Sequence, residues 1–122
     1  MTVAGQTDNR RVRCRQQLSR LRTLALGQGG TLPSQQAAGE IREAANSVLA
    51  EVEAMAMSRT VLEGGRRDPG AETFLWVRVN RLAATADQAV DAARRGDAAG
   101  LLAHLRRFET LTSAMWTVRD AI

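Results

Sequence analysis

The feature that most constrains this chain is an apolar rhythm that recurs in four stretches. Within each stretch, apolar residues lie three or four positions apart, which places them on one side of an α-helix. Glycine-rich breaks separate the stretches, and the two prolines, Pro33 and Pro69, follow the first two breaks, where the first turn of a helix tolerates them. The rhythm predicts four amphipathic helices, over residues 8–26, 33–63, 69–95 and 98–121.

Each predicted helix carries one apolar stripe that should face a common core, because residues at this spacing share a helix face. The stripes consist of Cys14, Leu18, Leu21 and Ala25; Ile41, Ala45, Val48, Val52 and Met55; Leu75, Val79, Leu82, Ala86, Val90 and Ala93; and Leu101, Leu105, Phe108, Thr112 and Met115.

Capping residues agree with these boundaries. Ser34 or Thr31 is placed to cap the second helix and Asp68 the third. Gly96 should end the third helix and Asp97 should cap the fourth, which makes this link the tightest. Pattern and caps together support the same four segments.

Short links between long helices favour antiparallel neighbours, so the prediction is an all-α, up-down-up-down four-helix bundle. Residues 8–122 form one domain, and residues 1–7 form a flexible N-terminal tail. The second helix, at about 46 Å, is expected to overhang the first, at about 28 Å. Either the end of the second helix frays or another chain covers the overhang.

Composition restricts the chemistry. The single cysteine, Cys14, excludes an internal disulfide and a multi-thiolate metal site, and one histidine with no tyrosine leaves few acid–base groups. Cys14 lies on a core stripe, whereas His104 lies on a flank of its helix, so a catalytic pair is not expected. We therefore predict no enzyme activity, no metal and no cofactor.

The chain lacks a signal-like apolar N-terminus and any run of 18 apolar residues, so a soluble cytoplasmic protein without membrane association is expected. Every basic residue is arginine, which is typical of a GC-rich, bacterial coding sequence.

The first predicted helix is strongly basic. On a helical wheel, Arg11, Arg15 and Arg22 take one flank of the stripe, while Arg13 and Arg20 take the other. Such a helix suits an acidic protein partner or, as phosphate contacts, a nucleic acid. The candidate docking residues are Arg10, Arg11, Arg13, Arg15, Arg20 and Arg22.

Four consecutive apolar residues begin at Phe74 and include Trp76 and Val77. They point around a full turn of the helix, so one core cannot bury them all. Exposed apolar surface of this kind is typical of a subunit interface, and a dimer is the commonest form. Phe74, Trp76 and Val77 are the predicted interface residues.

The preferred hypothesis is a non-enzymatic protein-interaction module, a regulatory, adaptor or assembly subunit that forms a homodimer. The alternative is a small nucleic-acid-binding protein that uses the arginine-rich first helix. A third hypothesis is an apolar ligand bound within the bundle, lined by Met55, Met57, Met115 and Trp116.

Overall fold

A computed structural model describes the backbone of residues 3–27, 34–59 and 69–121, with the side chains of residues 9–27, 35–57 and 75–117. This part of the chain is entirely helical apart from one short turn. Its helices are α1 (Val3–Gly27), α2 (Ser34–Arg59), α3 (Pro69–Arg94) and α4 (Ala98–Ala121). The predicted all-α class and the four-helix architecture are confirmed.

Ion pairs between helices reveal the chain direction of the bundle. Arg13 of α1 reaches Glu51 of α2, while Arg20, further along α1, reaches Glu43, which comes earlier in α2. Position rises on one helix as it falls on the other, so α1 and α2 are antiparallel. Helices α2 and α3 pack on one another, and the tight turn after α3 reverses the chain so that α4 packs back along α3. The predicted up-down-up-down order is therefore observed.

The core of the bundle is the set of predicted stripes. Every stripe residue is buried, and Trp116 joins them at 3% exposure. Small alanines fill much of the remaining interior, which lets the helix backbones approach closely. The buried hydroxyls of Thr85 and Thr112 donate to carbonyls one turn earlier in their own helices, so neither polar group needs a partner across the core.

The link between α3 and α4 follows its predicted chemistry. Gly96 has a φ of 71°, in the left-handed region that glycine adopts without penalty. The Asp97 N–H donates to the Ala92 carbonyl, and the Gly96 N–H donates to that of Ala93, a Schellman ending for α3. The Asp97 carboxylate then accepts from the Gly100 N–H at 2.9 Å and caps α4.

Within the described residues the helices contain 25, 26, 26 and 24 residues in chain order, so their described lengths are nearly equal. The first helix begins at Val3 rather than residue 8, because no proline interrupts the preceding backbone, and residues 3–7 of the predicted tail are therefore helical. Helix α2 is described to Arg59, and the predicted extension to residue 63 lies outside the described residues, as do Thr31 and Asp68.

The four pairs of neighbouring helices are not equally well packed. Consecutive helices pack along most of their lengths, whereas α1 and α4 touch much less, although they complete the ring. The buried residues that α1 contributes are few and include the small Cys14 and Ala25. Among the described residues, the seam between α1 and α4 is therefore the least packed side of the bundle.

Candidate interaction surfaces

Three of the arginines predicted as docking residues bind carboxylates on α2. Arg13 makes a two-point contact with Glu51, at 2.8 Å from Nε and 3.2 Å from a terminal nitrogen. Arg10 approaches the same carboxylate at 3.2 Å, and Arg20 lies 3.8 Å from Glu43. These guanidinium groups hold α1 against α2, where three positive charges share two carboxylates.

The electrostatics of Glu51 follow from this contact. The hydrogen bond from Arg13 is the main cause that lowers the pKa of the Glu51 carboxyl, with Arg10 acting in the same direction and partial burial opposing it. The same contact raises the pKa of Arg13. Glu51 remains charged at neutral pH and has two cationic partners, an arrangement that stabilises the helix pair.

The other flank of α1 faces α4, as the helical wheel predicts. Arg22 makes a two-point contact with Glu109, in which Nε lies 3.0 Å from a carboxylate oxygen and the NH2 nitrogen contacts the other oxygen. Arg11 also has an interaction partner. The exposed Arg15 forms no ion pair within the described part of the chain. The six arginines therefore do not form one uniform docking face.

The predicted interface on α3 is divided by the fold. Val77 points outward and is 52% exposed, whereas Trp76 packs its ring partly against the core. The side chain of Phe74 lies outside the described residues. Within the described part of α3, the exposed apolar surface at this position is thus Val77 and the uncovered edge of Trp76.

An apolar groove in the α1–α4 seam is the site that the sequence did not predict. It has a volume of about 290 Å³ and lies between the second half of α1 and the first half of α4. Arg22, Arg106 and Glu109 border an apolar floor. Its apolar lining, which we call the seam groove, consists of Leu18, Leu21, Ala25, Leu26, Leu102 and Leu105.

Leu26 is the most exposed large apolar residue of the described chain, at 76%, and it stands at the rim of the seam groove. A signal for it was present in the sequence. Leu24, Ala25 and Leu26 are consecutive, so they point in three directions around the helix, and only one can lie on the core stripe. The same reasoning that identified Val77 applies to Leu26.

The two residues considered as a catalytic pair, Cys14 and His104, are not brought together by the fold. The Trp116 indole acts to lower the pKa of the buried Cys14 thiol, but burial, the larger effect, raises that pKa to about 11. His104 lies about three turns from Trp116 along α4. Among the described residues, no three His, Cys, Asp or Glu side chains come close enough together to hold a metal ion.

The four residues proposed to line an internal ligand site do not enclose one space. Met55, Met115 and Trp116 are buried within the packed core, whereas Met57 is 50% exposed on the outside of α2. The seam groove shares none of these residues. The third hypothesis therefore loses its predicted lining.

Comparison with family models, with curated proteins and with solved structures finds no match to this chain. Within the described residues, no helix is both long enough and apolar enough to cross a membrane.

Proposed function

We propose that this chain is a non-enzymatic protein-interaction module that docks an amphipathic helix of a partner protein in the seam groove. The observation that carries the proposal is the exposed Leu26 beside an apolar floor in the least packed seam of the bundle. Exposed apolar surface next to a groove is typical of a protein-binding site. A helix laid in such a groove completes the packing that α1 and α4 leave open.

The dimensions of the groove favour a helix over a small molecule. Small-molecule sites enclose about 300–1,000 Å³ and bury most of their ligand. The seam groove, at about 290 Å³, is at the lower end of this range and open to solvent along α1 and α4. From Leu18 to Leu26 it extends about 12 Å along α1, which matches two turns of a partner helix. Side chains at i, i+3 or i+4, and i+7 would enter it.

A display library tests this proposal directly. The library encodes helices of about 15 residues with apolar residues at the i, i+3, i+4 and i+7 positions and all charge types beside them. The unmodified chain should enrich binders that Leu26→Glu no longer retains. Val12→Glu is the matched control, because Val12 is a similarly exposed apolar residue on α1 that does not line the groove. Failure to enrich any helix, or equal loss with both variants, would contradict the proposal.

Self-association is a second proposal, and the exposure of Val77 beside the partly buried Trp76 favours it. The described parts of α1 and α2 differ by one residue in length, so this proposal is argued from α3. Light scattering at high micromolar concentration should give twice the mass of 13.2 kDa, and Val77→Glu should restore the mass of one chain. A single-chain mass for the unmodified protein would exclude the dimer.

Nucleic-acid binding is the remaining alternative, and the ion pairs of α1 give it less support. Arg10, Arg13, Arg20 and Arg22 already contact carboxylates, so phosphate binding would have to replace those contacts. The test is retention of the chain on an oligonucleotide column at low salt. If the triple change of Arg11, Arg15 and Arg22 to Glu abolishes that retention, this alternative is favoured over the interaction module.

A further inference from the structure

We infer that the helix bound in the seam groove carries acidic residues beside its apolar face, and that Arg106 is the residue that selects them. This inference rests on the proposed function, because it specifies the chemistry of the partner at the same groove. It follows from the charges that border the groove and from how each of them is already paired.

The charged residues of α1 that lie beside the groove are all basic. Between residues 9 and 27, α1 contains six arginines and no aspartate or glutamate. Arg22 borders the groove directly, and the exposed Arg15 lies on the same flank, about 10 Å further along the axis. A partner helix approaching from solvent meets positive charge on this side before it reaches the leucines.

Two charged residues of α4 border the groove, Arg106 and Glu109, and only Glu109 has an ion-pair partner within the described residues. Both oxygens of Glu109 are occupied by Arg22, so this carboxylate has a partner within the chain. Arg106 is exposed, lines the groove and forms no ion pair within the described residues. The groove therefore presents a guanidinium group at its edge that a partner carboxylate can bind with two hydrogen bonds.

The positive charge of α1 also favours one possible occupant of the seam groove over another. A second copy docking through its own α1 would bring two arginine-rich helices together, which like-charge repulsion disfavours. An acidic amphipathic helix instead gains an opposite charge at Arg106, and Arg15 lies further along the same side. We therefore favour a partner protein with an acidic helix over another copy of this chain.

Charge reversal at neighbouring positions tests the inference. Helices of one apolar sequence are flanked by Glu, Gln or Lys, and their affinities are measured by fluorescence polarisation against Arg106→Glu and Arg107→Glu. Arg107 is the matched control because it is also exposed, carries the same charge and does not line the groove. We expect the Glu helix to bind best, and Arg106→Glu to weaken it about fivefold or more while Arg107→Glu has a smaller effect. The Lys helix should bind Arg106→Glu better than the unmodified chain.

The outcomes separate this inference from the proposed function. Equal binding of the Glu, Gln and Lys helices, all lost in Leu26→Glu, would overturn the acidic preference and leave groove docking intact. Absence of binding by all three would contradict both. If Leu26→Glu rather than Val77→Glu converts a dimer into a monomer, the occupant is a second copy, and the inferred acidic partner is wrong.

Discussion

Arg22 of α1 and Glu109 of α4 are joined by a two-point ion pair that crosses the seam where these helices pack least closely. Both residues also border the seam groove. The pair links the two walls from the solvent side, at a place where few apolar contacts do so. It therefore connects the stability of the seam with the shape of the surface proposed to bind a partner.

A double-mutant cycle should measure this pair. Arg22→Ala and Glu109→Ala, alone and combined, should give a coupling free energy of about 0.5 kcal/mol, because the pair is partly exposed and screened by solvent. Urea unfolding followed by circular dichroism provides the free energies. A coupling of zero at low salt would show that the two helices are not held together by this contact.

Acid should weaken the contact between α1 and α2. The lowered pKa of Glu51 means that its carboxylate stabilises the folded chain above the ordinary glutamate pKa of about 4.3, and that this contribution is lost as the pH falls through the folded-state pKa. The difference in unfolding free energy between the unmodified chain and Glu51→Gln should be constant from pH 7 to about pH 5 and shrink below that.

Glu53→Gln is the control for this experiment, since Glu53 is exposed on the same helix and forms no ion pair within the described residues. It should leave the stability difference near zero across the range. The account of Glu51 would be wrong if its substitution gave the same pH profile as that of Glu53.

The fold could be predicted because the residues that determine each helix lie within that helix or at its ends. The spacing of Ile41, Ala45 and Val48, or of Leu101, Leu105 and Phe108, places each set on one helix face, and all of these residues are buried. Gly96 and Asp97 determine a helix end and a helix start by their own conformation and side chain. Such features need no knowledge of the neighbouring helix.

The site was less predictable because it depends on pairing between helices. The sequence predicts that Arg13 and Arg22 lie on opposite flanks of α1, but not that Glu51 and Glu109 meet them. Leu26 lies just beyond the stripe of α1, so the sequence indicates its exposure, but not the groove beside it that the loose packing against α4 leaves open. The start of α1 was predicted five residues too late, because the apolar rhythm does not define where a helix starts.

The Cys14 thiol should react slowly in the folded chain. Its pKa of about 11, against an ordinary value of 9.0, reduces the thiolate fraction at pH 8 about a hundredfold, and burial at 1% exposure blocks access further. Alkylation by iodoacetamide should therefore be at least about a hundredfold slower than for the same chain in urea. Rates within a few-fold of each other, with helicity retained, would contradict the packing of Cys14 against Trp116.

The link between α3 and α4 should tolerate little change. Asp97→Ala removes the cap on the Gly100 N–H and should cost about 1 kcal/mol, whereas Asp97→Asn should retain most of it. Gly96→Ala forces an alanine into a left-handed conformation, at a cost of about 1–2 kcal/mol. Urea unfolding checks each value. Equal stability of the Ala and Asn variants at position 97 would show that the cap does not stabilise α4.

We propose that this chain meets its partner at the α1–α4 seam. Methyl NMR during titration with an acidic amphipathic helix tests it most directly, because Ala25, Leu26, Leu102 and Leu105 all carry methyl groups that line the groove. We predict that these resonances shift together and saturably, while those of Val12 and Val77 remain in place. Shifts centred on Val77, or saturable binding that leaves the seam methyls unchanged, would contradict the account.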